Sequence, residues 1–157
     1  MHITKLVCLL LLAGCASHPL GPEWLPLEEI RQLPGTPAGV AFTVGPVIRV
    51  GNLGRWLKKH PQGPARDAVL HHEREHSRRQ IAYGTVSWVA RYKTDEAFAW
   101  QEEQLGWYQQ LQHWKARNVR PDLEQVAHNL VGYPDFEVTY AEAYSWVSAV
   151  WSGAWHP

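Results

Sequence analysis

Residues 68–84 read AVLHHEREHSRRQIAYG, and every position from His71 to Gln80 is polar or charged. Inside this run, His72-Glu73-Arg74-Glu75-His76 has the form H-E-x-x-H. On a helix, residues four apart share a face, so both imidazoles can reach one ion. The glutamate after the first histidine then stands beside that ion without ligating it. From there Glu73 can take a proton from a water acidified by the metal. The five-residue pattern is only moderately specific, so its setting on the helix has to decide.

The apolar positions of the segment are Ala65, Ala68, Val69 and Tyr83, and the 3.6-residue period joins them through His72 and His76. The histidines therefore interrupt a stripe expected to be buried, while Arg74, Glu75 and Arg78 fall off it and are expected in solvent. A buried imidazole needs a partner for each ring nitrogen, and a metal is one such partner. A pair of hydrogen-bonded core histidines is the competing explanation. His71 lies off the motif and reads as a neighbour, not a ligand.

A remaining ligand must come from elsewhere. The extended metzincin pattern would need Gly at position 79 and His at position 82, where the chain has Arg79 and Ala82. The later segment DEAFAWQEEQLGWYQQLQHWK carries Trp100, Trp107, Leu111 and Trp114 on one helical stripe, and Glu103 falls in its middle. An unpaired carboxylate buried there would cost several kcal/mol, a cost that a cation on a facing helix removes. Two stripes, each broken by metal-binding residue types, point at each other. Glu102 is the main rival, because an error of one residue in helix phase exchanges the two; Glu96 and Asp95 are lesser rivals.

With H-E-x-x-H on one helix and Glu103 on the next, the chain resembles a small gluzincin-type zinc metallopeptidase over about residues 64–112. The resemblance implies Zn2+ held by His72, His76 and Glu103, with Glu73 as general base. In that group the glutamate ligand often heads an E-x-x-A-like run whose small residue lets the helices approach; EQLG puts Gly106 there. The resemblance further implies a Tyr or His that stabilises the oxyanion, for which Tyr140, Tyr133, His128 and Arg78 are all open. It also implies an edge strand that pairs with substrate backbone, for which Val47–Val50 is the candidate. The expected activity is hydrolysis of peptide bonds in extracytoplasmic proteins or peptides. Two alternatives stand beside it: a non-catalytic, zinc-stabilised envelope lipoprotein acting as a structural or binding module, and a Trp-rich adaptor without metal.

These residues need two long helices to position them. Pro64 suits a first helical position and Gly84 the position just past a helix end, which predicts one helix between them. A second is predicted from about Glu96 to Lys115, capped by Thr94 or Asp95. A third starts near Pro121 and stops at Gly132, and a last one opens on the capping box of Thr139 and Glu142 and ends at Gly153. Residues 85–92, TVSWVARY, fit a strand or a short helix. Two β-branched runs, Val40–Val44 and Val47–Val50, parted by Gly45-Pro46, predict two strands or a tight hairpin. The expected fold class is α+β, mostly helical, with a zincin-like two-helix metal core and a small N-terminal β element.

The N-terminus is read as an address. Lys5 precedes the apolar run LVCLLLLAG, too short to span a bilayer, and Leu12-Ala13-Gly14-Cys15 resembles a bacterial lipobox. This implies a signal peptide over residues 1–14, a lipidated Cys15 heading a Pro/Gly-rich tether over 15–37, and a metallopeptidase domain over 38–157. Cys8 leaves with the signal peptide, so no thiol remains for a disulfide or a thiolate metal site. Ala16 after the cysteine favours the outer membrane by resemblance, and the lipid would be the membrane partner. Lys+Arg and Asp+Glu balance at 15 each, so no basic field points to nucleic acid. The nine tryptophans are expected chiefly in the core, with an aromatic binding surface as the alternative.

Overall fold

The computed structural model describes residues 29–33 and 41–157. The expected signal peptide, Cys15 and most of the expected tether lie outside the described residues. In chain order the elements are β1 (Glu29–Gln32), β2 (Ala41–Val44), β3 (Val47–Val50), α1 (Leu53–Lys59), α2 (Pro64–Tyr83), α3 (Thr85–Thr94), α4 (Glu96–Ala116), α5 (Leu123–Val131) and α6 (Tyr140–Ser152). The described residues are thus mostly helical with one small sheet near the N-terminal end, as an α+β reading requires. No helix among the described residues is long and apolar enough to cross a membrane.

The two β-branched runs form the predicted hairpin, with Ala41 opposite Val50 and Val44 opposite Val47. Gly45 supplies the positive φ (58°) that a two-residue hairpin turn demands. The third strand was not expected. Residues 29–32, which composition assigned to the tether, run parallel to β3, and the strand order is β1-β3-β2. Glu29-Ile30-Arg31-Gln32 has a single apolar residue, so no alternation announces a strand; pairing with β3 creates it. That pairing also corrects the edge-strand expectation. Val47–Val50 is the central strand with both sides of its ladder used, and β2 is the edge strand packed toward α2.

The helices begin and end where local chemistry directs them. Asp95, not Thr94, caps α4 by accepting from the Phe98 N–H at 3.0 Å. Asp122 caps α5, and the Thr139–Glu142 capping box opens α6 with both reciprocal hydrogen bonds formed. The undecided stretch 85–92 is helical, which places Trp88 and Tyr92 one turn apart on the same face. One short helix, α1, had no sequence expectation; Asn52 caps it and Trp56 anchors it.

Two apolar clusters flank α2. Ile48, Val50 and Trp56 form the smaller, against which Ile30, Val69 and Leu70 pack. The larger joins α4, α5 and α6 through Trp107, Leu111, Val126, Leu130, Trp146, Val147 and Val150. Trp56, Trp88, Trp107 and Trp146 are buried, and Trp100, Trp114, Trp151 and Trp155 pack partly buried on the larger cluster. Within the described residues the tryptophans therefore serve the core, as expected.

Helix α2 lies between the sheet and α4, and this explains how a run of polar residues comes to be interior. It buries Ala68, His72, Glu73, Glu75, His76, Ser77 and Gln80. Glu75, expected in solvent, is buried and paired with Arg78, while Tyr83, expected on the buried stripe, is 54% exposed. A helix covered on two sides buries a wider arc than one stripe, so the one-face period misplaced both residues.

Candidate metal centre

Helix α2 brings His72 and His76 to the face that meets α4, and α4 brings Glu103 opposite them. One ligand atom from each lies within 4.8 Å of the others, and all three residues are buried. The two Nε2 atoms are 3.0 Å apart; Glu103 Oε2 is 3.4 Å from His72 Nε2, and Glu103 Oε1 is 3.3 Å from His76 Nε2. A tetrahedral ion with bonds of about 2.1 Å needs donor atoms about 3.3–3.4 Å apart; the two histidine–carboxylate distances match this, and the two imidazole nitrogens are closer, at 3.0 Å. Glu103 Oε2 is buried and lacks a hydrogen-bond partner, as do the Nδ1 atoms of both histidines. Glu103 Oε2 thus faces His72 Nε2 without a hydrogen-bond partner, a need that a cation could meet. These residues could hold a metal ion.

The rival ligands are placed elsewhere. Glu102 is fully buried but takes a two-pronged ion pair from Arg79, with both N···O distances 2.6 Å. Glu96 is exposed, and Asp95 is committed to capping α4 and to Arg91. His71 stays off the cluster and packs against His113, with centroids 4.3 Å apart and the rings tilted by 30°. Arg79–Glu102 locks α2 against α4 next to the ligands, and so sets the register that turns Glu103 inward. Gly106, one turn after Glu103, makes the approach possible. A Cβ there would lie 2.8 Å from Cδ2 and Nε2 of His72.

Charge organises the cluster when protons stand in for the cation. Burial alone would raise the Glu103 carboxyl, but the His76 charge, with the His72 and His76 imidazoles packed against it, holds it well below the usual range. Burial likewise opposes a charged His76, and the Glu103 carboxylate outweighs it, with Glu73 and Glu102 adding, so its pKa is raised.

Glu73 is buried beside the cluster, and the Thr43 hydroxyl of β2 donates to its Oε2. Gln80, two turns further along α2, clamps the same strand: its Nε2 donates to the Thr43 carbonyl at 2.8 Å, and its Oε1 accepts from the Gly45 N–H at 2.8 Å. The hairpin is thereby registered against the H-E-x-x-H helix, and Thr43 is fixed where it meets Glu73.

Two phenols complete the surroundings. Tyr92 Oη donates to Glu103 Oε1 at 2.6 Å. Burial, then the Glu103 charge, pushes the Tyr92 phenol far above its ordinary range, so it remains a donor. Tyr133, in the loop between α5 and α6, is also raised by burial and by Glu103, and its oxygen accepts from the Trp107 indole at 3.4 Å. Lys93 ties the two phenol-bearing segments together through Asp135, at 2.8 and 2.9 Å. Of the four residues considered for the oxyanion, Tyr133 alone reaches the cluster. Tyr140 is 37% exposed and packs against the tilted ring of His128, and Arg78 is paired to Glu75. Sequence reasoning missed Tyr92. Reading 85–94 as a helix would have aligned Trp88 with Tyr92 at i, i+4 and pointed to an inward aromatic face.

No protein-family model, curated protein or solved structure matches this chain.

Proposed function

We propose that this chain is a zinc-dependent metallopeptidase that hydrolyses peptide bonds of proteins or peptides outside the cytoplasm, tethered to a membrane through lipid on Cys15. The observation that carries the reading is the convergence of His72, His76 and Glu103 next to Glu73 in an H-E-x-x-H frame. When bound there, zinc supplies Lewis-acid polarisation of a carbonyl and an acidified water. Glu73 accepts the proton of the attacking water and delivers it to the departing amine, its carboxylate oriented by Thr43. Tyr133 provides the hydrogen bond to the developing oxyanion. Its oxygen receives the Trp107 N–H and its hydroxyl faces Glu103; on this reading it turns from that carboxylate to the oxyanion.

One observation favours a second reading, a zinc staple without turnover: His72, His76 and Glu103 are 5%, 6% and 3% exposed, so substrate has little approach through the ligands themselves. A single comparison separates the two. The mature protein and its Glu73→Gln variant are purified, their zinc content measured, and their cleavage of fluorescently labelled casein followed. The peptidase reading expects one zinc per chain in both and a fall in turnover of about 10²–10⁴-fold in the variant. Zinc in both with no cleavage by either supports the staple; no zinc in either ends both readings.

A further inference from the structure

The two oxygens of Glu103 are not equivalent. Each lies 3.3–3.4 Å from an imidazole nitrogen, so distance does not choose which of them meets a metal. Hydrogen bonding does choose. Oε1 receives the Tyr92 hydroxyl at 2.6 Å, whereas Oε2 is buried and has no hydrogen-bond partner. We propose that Tyr92 is a positioning residue that makes Glu103 a one-oxygen ligand, occupying Oε1 and leaving Oε2 alone for the ion.

The phenol is well placed to hold that choice. Its ring stacks on Trp88 at 4.9 Å with planes 19° apart, and Trp88 in turn sets its edge against His76 at 5.7 Å. The next residue, Lys93, is anchored to Asp135. The hydroxyl therefore approaches Oε1 from a rigid aromatic wall shared with one of the ligands. A hydrogen bond to a carboxylate oxygen lowers the electron density that oxygen can offer, and it fixes the plane of the group. The consequence is the coordination number. Two imidazoles and one carboxylate oxygen make three protein donors, which leaves a fourth tetrahedral position open. A carboxylate binding through both oxygens would fill that position. Tyr92 is then what keeps the site open.

This inference rests on the metal-binding reading above, and the experiment keeps the two apart. The protein and its Tyr92→Phe variant are loaded with cobalt(II), whose visible bands weaken when four-coordination expands to five, and zinc affinity is measured by chelator competition. X-ray absorption of the zinc-loaded wild-type protein counts the donor atoms directly, so the test stands even where Tyr92→Phe folds poorly. The expected result is four donors in the wild type with a single carboxylate oxygen. In the variant, cobalt absorption weakens and zinc affinity falls by about 10–100-fold. Two carboxylate oxygens on the wild-type zinc overturn the inference while leaving the metal site intact. So does an unchanged cobalt spectrum in Tyr92→Phe, whatever happens to its affinity. Failure of the wild type to bind zinc or cobalt overturns the metal reading, and this inference with it.

Discussion

Gly106 of α4 lies against the imidazole of His72 on α2, closely enough that a Cβ at position 106 would stand 2.8 Å from the ring nitrogen Nε2. Backbone, not side chain, therefore meets the Nε2 edge of the histidine. Gly106→Ala is expected to force the ring aside, costing about 1–3 kcal/mol as an overpacked core does. It also moves Nε2 away from the position it shares with His76 and Glu103. Thermal melting of the metal-free variant measures the first effect and zinc titration the second; wild-type values for both would show that the helices separate freely.

The neighbouring glutamates on α4 are expected to respond oppositely. Glu103→Ala removes a proposed metal ligand and should abolish stoichiometric metal binding. Arg79→Ala strands the fully buried Glu102 charge, and loss of one partner from a buried pair costs about 3–5 kcal/mol. That variant should unfold at lower urea yet, where folded, bind metal. Replacing Arg79 and Glu102 together by Met should recover most of the stability, because neither charge is then left alone. Urea melts combined with metal analysis distinguish the two carboxylates.

Chelation is expected to lower the melting temperature of the purified protein. An ion that binds the folded chain alone stabilises it by about 4 kcal/mol when present at a thousand times its Kd. Calorimetry with and without a chelator measures the shift, and readdition of zinc should restore it. Glu103→Ala should melt at the same temperature in both conditions, because the site that links metal to folding is gone.

A pH dependence is expected at the start of α6. Hydrogen bonds from the Thr139 side chain and backbone hold the Glu142 carboxyl below its ordinary value of 4.5. A carboxyl depressed in the folded state stabilises it fully above the unfolded pKa, and loses that contribution as pH falls through the folded value. Glu142→Gln should therefore differ from wild type in thermal stability at pH 7, and the difference should shrink as pH falls below 4.5. A gap that widens in acid would contradict the capping-box assignment.

Local chemistry was enough to place the long helices and the hairpin. Pro64 and Gly84, Asp95, and the Thr139–Glu142 box are signals read within one turn of chain, and each sits at the boundary it predicts. The spacing of His72 and His76, and the interruption of an apolar stripe by Glu103, are likewise properties of single helices. Two histidines and a carboxylate of α4 were therefore legible as one candidate cluster, with Glu103 favoured and Glu102 still open.

What only the tertiary structure decided are relationships between elements distant in sequence. Glu102 and Glu103 differ by 100° of helix rotation, and the Arg79 fork resolves which of them faces the histidines. Strand β1 exists because β3 offers a partner, and Glu75 is buried because α2 is covered on two sides. Tyr92 and Tyr133 reach Glu103 from separate segments joined by the Lys93–Asp135 ion pair. A sequence read one helix at a time carries the period of each face, whereas contacts across 11 or 42 positions depend on how the faces are packed, and no periodicity records that.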